Sequence, residues 1–197
     1  MKLIITLVLL ITTLSVGCAQ ESKRYLKLKQ NISYWEGYVL NRDSVKITGL
    51  VKDNLLNDTK KYSAVTFVQK DGTKLKLYPN TIKGYGYSSH NFISNGSSFL
   101  ENVQHGRKLS LYKNVTVTSW SAGGAPGMAP MTHTNVKENF YVKRYNETVF
   151  KEVRKKNFKQ DFSDYFKDCE ELSNKILNEE YNHKDISKIV RKYNYCQ

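Results

Sequence analysis

The sequence has few prolines, few cysteines and few acidic residues. Its 197 residues include three Pro and three Cys, and 31 Lys and Arg outnumber 18 Asp and Glu. So little proline, without a low-complexity tract, argues against a long extended linker. Three cysteines are too few for a small scaffold held by a dense disulfide framework. The chain is therefore predicted to fold around an ordinary apolar core, which its 40% hydrophobic content allows.

Motifs that define common enzyme classes are also missing. The sequence contains no phosphate loop, no dinucleotide fingerprint, no Gly-x-Ser-x-Gly elbow and no His-Glu-x-x-His. The four histidines are separated along the chain: His90, His105, His133 and His183. Surface positions are therefore favoured, and the alternative is that one of them acts as a catalytic base. The sequence thus predicts no metal and no cofactor and favours a non-enzymatic role. Carboxylates that pair only in the fold stay open as an alternative.

The net charge of +13 is unevenly distributed. Residues 18–147 hold 19 Lys and Arg against nine Asp and Glu, whereas residues 148–197 hold 11 against nine. A basic domain attracts anionic partners, here lipid headgroups, lipopolysaccharide, acidic glycans or nucleic acid. The alternative is a solvated surface that favours solubility, because the lysines are scattered singly.

The first residues are typical of an export signal. Lys2 is followed by an apolar run from Leu3 to Val16, which is shorter than the roughly 20 residues of a transmembrane helix. The stretch from Leu14 to Cys18 resembles a bacterial lipobox, with Gly17 before the cysteine and Ser15 where Leu is usual. We therefore expect a signal peptide over residues 1–17 and lipidation of Cys18. The alternative is ordinary cleavage after Ala19 and a secreted protein without an anchor.

The residues that follow Cys18 suggest where a lipid-anchored protein would face. Only Glu21 is acidic in this segment, and Lys23 and Arg24 come next. An acidic cluster after the cysteine is frequent in surface-exported lipoproteins, so its absence favours the periplasm. We interpret residues 18–33 as a tether between the membrane and the folded domain.

The two remaining cysteines are predicted to form a disulfide. Asp168 and Asn182 each resemble a helix N-cap in front of an apolar helical pattern, so residues 168–196 are expected to form an antiparallel helix hairpin. Such a hairpin places Cys169, at the start of the first helix, near Cys196, at the end of the second. The alternative is two free thiols.

The intervening sequence is typical of a β-domain. Residues 34–147 contain alternating apolar segments separated by turn residues, among them Asp71-Gly72. Residues 148–197 are predicted to be helical, beginning with a basic helix through Val149 and Val153. The expected fold class is α+β: an antiparallel sandwich or open barrel of about seven to nine strands, followed by a helical tail.

One segment stands out as a candidate binding loop. Residues 120–134 are rich in Gly, Ala and Pro and are predicted to form a hairpin loop longer than a turn requires. The side chains that this loop would expose for binding are Trp120, Met128, Met131 and His133. The alternative is an insertion without function.

A family resemblance rests on runs distributed over most of the mature chain. They include Val65-Thr66-Phe67, Ile82-Lys83-Gly84-Tyr85, Phe92-Ile93-Ser94, Phe99-Leu100-Glu101, Phe140-Tyr141-Val142 and the tail residues Asp168-Cys169 and Tyr193-Asn194. The chain resembles uncharacterised envelope lipoproteins and secreted proteins of Flavobacterium-like Bacteroidetes. The resemblance implies an envelope location and no defined activity.

Three functions follow from the sequence. The first is a non-enzymatic, lipid-anchored envelope module that binds an anionic glycan or an envelope protein through its basic β-domain. The second is an envelope hydrolase acting on glycan or peptide, with a site near residues 119–136. The third is a secreted basic protein that binds anionic surfaces or nucleic acid; nucleic acid is the less favoured partner.

Overall fold

The described part of the chain is an antiparallel sheet followed by a helical tail. The structure is a computed structural model that describes residues 21–53, 59–122 and 131–196. The strands are β1 Tyr34–Leu40, β2 Lys46–Lys52, β3 Val65–Val68, β4 Lys74–Leu77, β5 Gly84–Tyr87, β6 His90–Ser94, β7 Phe99–Gln104, β8 Leu109–Ala122, β9 Met131–Arg144 and β10 Lys151–Val153. The α-helices are α1 Lys23–Lys29, α2 Phe158–Tyr165, α3 Glu170–Leu177 and α4 Ile186–Tyr195. Short 3₁₀ turns at Lys60–Tyr62 and His183–Asp185 precede β3 and α4. The predicted α+β class with a C-terminal helical tail is confirmed.

All ten strands belong to one open sheet in the order β10-β9-β8-β7-β6-β5-β1-β2-β3-β4. Neighbouring strands are antiparallel, and the order departs from the sequence only where β5 pairs with β1. The connection from β4 therefore returns the chain to the middle of the sheet and leaves β4 at one edge. The strands form one open sheet rather than the two packed sheets of the predicted sandwich, and the sheet has ten strands rather than about seven to nine. No helix within the described ranges is both long and apolar enough to cross a membrane.

An apolar core, here called the sheet core, fills one face of β1–β7. Alternate residues of each strand point into it, as the two-residue period of a strand requires. Its fully or nearly buried members include Val39, Val51, Phe67, Tyr85, Phe92 and Phe99. The Tyr85 ring stacks on Phe92 at 4.5 Å between centroids and meets Phe99 edge-on at 4.9 Å. Each such side chain contributes about 1.5–3 kcal/mol on burial, so the aromatic centre of the sheet stabilises the fold strongly.

The helical tail covers the same face of the sheet at β8 and β9. Leu111 and Val142, which are cross-strand partners, pack against apolar residues of α2, α3 and α4. On α4 these residues recur at helical spacing: Ile186, Ile189, Val190 and Tyr193. Helix α1 packs on the opposite face, where its buried Tyr25 contacts Leu50 and Val68. Both faces of the sheet are therefore partly covered by helices.

A disulfide joins Cys169 to Cys196, with their Cα atoms 6.0 Å apart. The bond links the start of α3 to the end of α4, as the helix-hairpin interpretation predicted. The side chain of Asn182 accepts a hydrogen bond from the Lys184 N–H, and the Asp185 carboxylate accepts one from the Asn182 N–H. This capping box confirms Asn182 as the start of the second helical segment. The predicted cap at Asp168 is wrong, because Cys169 precedes α3 and no side chain caps that helix.

The structure differs from the sequence predictions in the segment before β1 and in the segment after β9. The basic helix predicted through Val149 and Val153 is not formed; residues 151–153 are strand β10, and the first tail helix begins at Phe158. Pairing of β10 with β9 satisfies the backbone of these residues at the sheet edge, which outweighs their helical pattern. The segment predicted as a tether contains α1, which Ser22 caps by accepting a hydrogen bond from the Tyr25 N–H.

Candidate functional site

A cleft lined by lysines lies at the β4 edge of the sheet and is here called the lysine cleft. Its volume is about 580 Å³. Three cations and two hydroxyl groups line it, together with two apolar residues: Lys60, Lys74, Lys76, Ser63, Thr66, Ala64 and Leu75. Among the described residues, no carboxylate contributes to this lining. The arrangement is suited to an anion that accepts hydrogen bonds from ammonium and hydroxyl groups.

Strand β4 places two of these lysines on one face. Its sequence alternates Lys and Leu, so Lys74 and Lys76 are exposed while Leu75 and Leu77 pack against the sheet core. The β3–β4 hairpin is closed by Asp71-Gly72, and Gly72 adopts a left-handed φ of 89°. The Asp71 carboxylate accepts hydrogen bonds from the N–H and hydroxyl of Thr73, which hold the pKa of Asp71 below its usual value. The turn therefore fixes the register that exposes the lysines.

The third lysine is positioned by contacts on the opposite side of its 3₁₀ turn. In the 60–62 turn, Tyr62 points inward and donates a hydrogen bond of 2.9 Å to the buried Glu101 carboxylate. The Tyr85 hydroxyl donates to the carbonyl oxygen of Lys61 at 2.6 Å. These two bonds attach the turn to the sheet and leave the Lys60 side chain exposed at the cleft.

The cleft lysines differ electrostatically from the basic residues of the tail. Within the described residues, none of Lys60, Lys74 and Lys76 forms an ion pair, and the Lys76 ammonium lies 5.4 Å from the Tyr78 ring centroid. In the tail, five basic residues pair with nearby carboxylates: Arg154–Glu152, Lys159–Glu179, Lys167–Asp164, Lys175–Glu171 and Lys188–Asp185. The charge of the cleft is therefore available to an external anion, whereas five of the eleven basic residues of the tail are paired.

Glu101 also contacts a histidine. His90 Nδ1 lies 2.6 Å from a Glu101 carboxylate oxygen, and the His90 side chain is 42% exposed while that of Glu101 is 10% exposed. A carboxylate that orients an imidazole is one requirement of general-base catalysis. Here the second carboxylate oxygen is occupied by Tyr62, so Glu101 serves to attach the 60–62 turn. The sequence prediction of an isolated surface histidine missed this pair because it forms between neighbouring strands.

A serine–histidine contact does not complete a hydrolytic site. Ser110 Oγ lies 3.5 Å from His105 Nδ1, which is long for a hydrogen bond between these groups. Ser110 is 6% exposed and its Oγ also accepts from the Gly106 N–H at 3.3 Å. A nucleophile needs both an open approach and a close base. The described geometry at Ser110 therefore gives no support to the hydrolase alternative.

The candidate binding loop is largely strand. Strands β8 and β9 run to Ala122 and from Met131, so Trp120, Met131 and His133 lie in the hairpin rather than in a loop. The Ser- and Thr-rich alternation of these residues suits strands, which explains the longer hairpin. Met128 lies outside the described residues. The predicted loop over 120–134 is therefore corrected at residues 120–122 and 131–134, which are strand; residues 123–130 lie outside the described residues.

The structure brings two of the four predicted binding residues together. Trp120 and His133 are cross-strand partners whose rings stack at 5.5 Å between centroids, and Trp120 is 56% exposed. They lie on an arm formed by residues 116–121 and 132–138, which are all exposed. Binding through this arm stays a prediction. Cys18, the predicted lipidation site, lies outside the described residues.

The lysine cleft itself was not predicted. Its signal in the sequence is the alternation Lys74-Leu75-Lys76-Leu77, which places both lysines on one strand face. Lys60 has no such signal, because its position depends on tertiary hydrogen bonds of Tyr62 and Tyr85.

Comparison of the chain with family models, with curated proteins and with solved structures found no match.

Proposed function

We propose that this protein is a non-enzymatic binding module of the bacterial cell envelope that holds an acidic glycan in the lysine cleft. It is exported by its N-terminal signal and anchored to the membrane through lipidated Cys18, facing the periplasm. The repeating carboxylates of an acidic polysaccharide would accept hydrogen bonds from Lys60, Lys74 and Lys76, and its hydroxyl groups would contact Ser63 and Thr66.

The observation that carries the proposal is the convergence of three ammonium groups, those of Lys60, Lys74 and Lys76, on one cleft with two hydroxyl side chains. Three ammonium groups that share a cleft without an ion pair repel one another, and a bound polyanion relieves that repulsion. Lysines on an edge strand also discourage strand pairing between molecules. That role accounts for Lys74 and Lys76 on β4, but it does not account for Lys60, which lies on the 60–62 turn.

The binding proposal is tested by removing the three charges together. We expect the K60Q/K74Q/K76Q variant to bind polygalacturonate about 3- to 100-fold more weakly than the wild type in isothermal titration, since each exposed ion pair contributes about 0.2–1 kcal/mol. The matched control is K159Q/K167Q/K188Q, which removes the same charge from ion-paired tail positions. An equal loss in both variants would show that net charge alone governs binding and would contradict the cleft.

The anchor is tested separately by intact-mass analysis of the membrane fraction. We expect a mature chain that begins at Cys18 and carries the additional mass of acyl groups, because two or three chains give stable membrane attachment. A soluble, unmodified chain beginning at Gln20 would exclude the anchor while leaving the glycan proposal intact.

A further inference from the structure

A second cleft combines cations with apolar side chains. It lies between the 41–45 loop, the segment that leads into β5, and residues 143–150, and its volume is about 510 Å³. We call it the Phe150 cleft. Its cations are Arg42, Lys83 and Lys143, and its apolar side chains include Ile82, Ile93 and Phe150. This volume lies within the range of small-molecule sites.

Each cation of the Phe150 cleft is held by a neutral partner. The Arg42 guanidinium donates to the carbonyl oxygen of Asn80, and the Lys83 ammonium donates to Ser44 Oγ at 2.8 Å. The Lys143 ammonium lies 5.0 Å from the centroid of the Phe150 ring. These contacts orient the three groups without neutralising them. Among the described residues, no carboxylate lines the cleft, so its positive charge is both positioned and uncompensated.

The apolar part of the Phe150 cleft is accessible but supported from beneath. Ile82 is 7% exposed and belongs to the sheet core, so it forms a fixed floor. Ile93 and Phe150 are partly exposed, and the Phe150 ring meets Tyr112 edge-on at 5.1 Å between centroids. The aromatic contact fixes the ring in place. A ligand would therefore find a rigid apolar surface bordered by cations.

We infer that the Phe150 cleft binds a small amphipathic anion, a carboxylate or phosphate that carries an aliphatic chain or ring. The anionic head would contact Arg42, Lys83 and Lys143, and the apolar part would cover Ile93 and Phe150. This chemistry differs from that of the lysine cleft, where polar groups predominate. The inference is independent of the proposed glycan function, because the two clefts share no lining residue in the part of the chain that the structure describes.

The inference is tested with decanoate, supplied as monomers and titrated into the full mature chain by calorimetry. We expect saturable binding with one site, and binding at least tenfold weaker for the R42Q/K83Q variant. The K60Q/K74Q/K76Q variant should bind decanoate like the wild type, which separates this site from the proposed glycan site. Decanol lacks the anionic head and acetate lacks the apolar chain. Each should bind at least tenfold more weakly than decanoate.

The source of the ligand is tested with vesicles of phosphatidylglycerol in a sedimentation assay. The inference is supported if the wild type binds monomeric decanoate and the R42Q/K83Q variant binds it more weakly, whether or not the protein also binds vesicles. Binding to vesicles alone would overturn it. Equal affinity for decanoate and decanol would also overturn it.

Two controls accompany these experiments. Because R42Q and K83Q replace exposed side chains, the R42Q/K83Q variant should unfold at the same temperature as the wild type. A second variant, I93S, should bind decanoate more weakly than the wild type and should bind polygalacturonate with unchanged affinity.

Discussion

Glu101 is the residue on which the geometry of the lysine cleft depends most. Its carboxylate is buried, accepts a hydrogen bond from Tyr62 and lies 2.6 Å from His90 Nδ1. A buried carboxylate is costly unless its lone pairs are satisfied, so both contacts are needed to keep it in the sheet. Through Tyr62 the same carboxylate attaches the turn that carries Lys60.

This role predicts the effect of removing one hydroxyl. The Tyr62→Phe substitution keeps the ring in the sheet core but leaves a Glu101 oxygen without its donor, and we expect the free energy of unfolding to fall by about 1–3 kcal/mol. Urea denaturation measures this change. The control is Tyr78→Phe, because Tyr78 is 43% exposed. The free energy of unfolding of this variant should be almost the same as that of the wild type. Equal stability of Tyr62→Phe and the wild type would contradict the proposed role of Glu101.

Asp168 anchors the tail through charge and hydrogen bonding. Its carboxylate contacts the Arg144 guanidinium at 2.7 Å and accepts a hydrogen bond from the Tyr193 hydroxyl. Burial alone would raise the pKa of Asp168, but the Tyr193 hydrogen bond and the Arg144 charge outweigh it and lower that pKa. Burial and the hydrogen bond to Asp168 raise the pKa of Tyr193 to about 12, so Tyr193 remains a donor near neutral pH.

The lowered pKa gives a prediction with a definite sign. A carboxyl group whose pKa is lower in the folded state stabilises the protein above its unfolded pKa, near 3.8, and loses this effect as the pH falls through the folded value. The wild type should therefore melt at a higher temperature than Asp168→Asn at pH 7, and the gap should close below pH 3.8. The control is Asp164→Asn, which removes a carboxylate from an exposed ion pair. Its melting temperature should stay close to that of the wild type at either pH. A gap that widens in acid would contradict this assignment.

At the scale of elements, the tail hairpin depends on its disulfide. Cys169 and Cys196 are 27 residues apart, and closing a loop of that size contributes about 3–4 kcal/mol in the chain-entropy model. We expect the C169S/C196S variant to lose about that amount in urea denaturation while keeping its helical circular dichroism at low denaturant. The matched control is the wild type with its disulfide reduced, which should unfold at the same urea concentration as the C169S/C196S variant. Unchanged stability would show that packing alone holds the hairpin.

Sequence reasoning was most successful where periodicity and covalent geometry act locally. The helix hairpin, its Asn182 cap and the Cys169–Cys196 pairing were predicted because each depends on spacing within the tail. The buried position of Glu101 in β7 could not be predicted, because it depends on contacts with Tyr62 and His90 from other parts of the sheet. Strand β10 was missed because three residues are too short to show a period. The lysine cleft also depends on tertiary contacts, which no local pattern reveals.

At the scale of the whole molecule, the division of charge agrees with the division of structure. Within the described residues, the cleft lysines of the sheet form no ion pair, whereas five of the eleven basic residues of the tail pair with neighbouring carboxylates. The described chain thus combines an electropositive sheet edge with a nearly neutral, disulfide-bonded tail. We interpret the sheet as the binding part and the tail as its support.

The central claim is that the lysine cleft, and not the net charge of the protein, binds acidic glycan. Measuring the affinity for polygalacturonate across a salt series tests it most directly, because each cation that contacts a polyanion steepens the fall of log affinity with log salt. We predict a shallower slope for K60Q/K74Q/K76Q and a wild-type slope for K159Q/K167Q/K188Q. Identical slopes for all three proteins would contradict the claim.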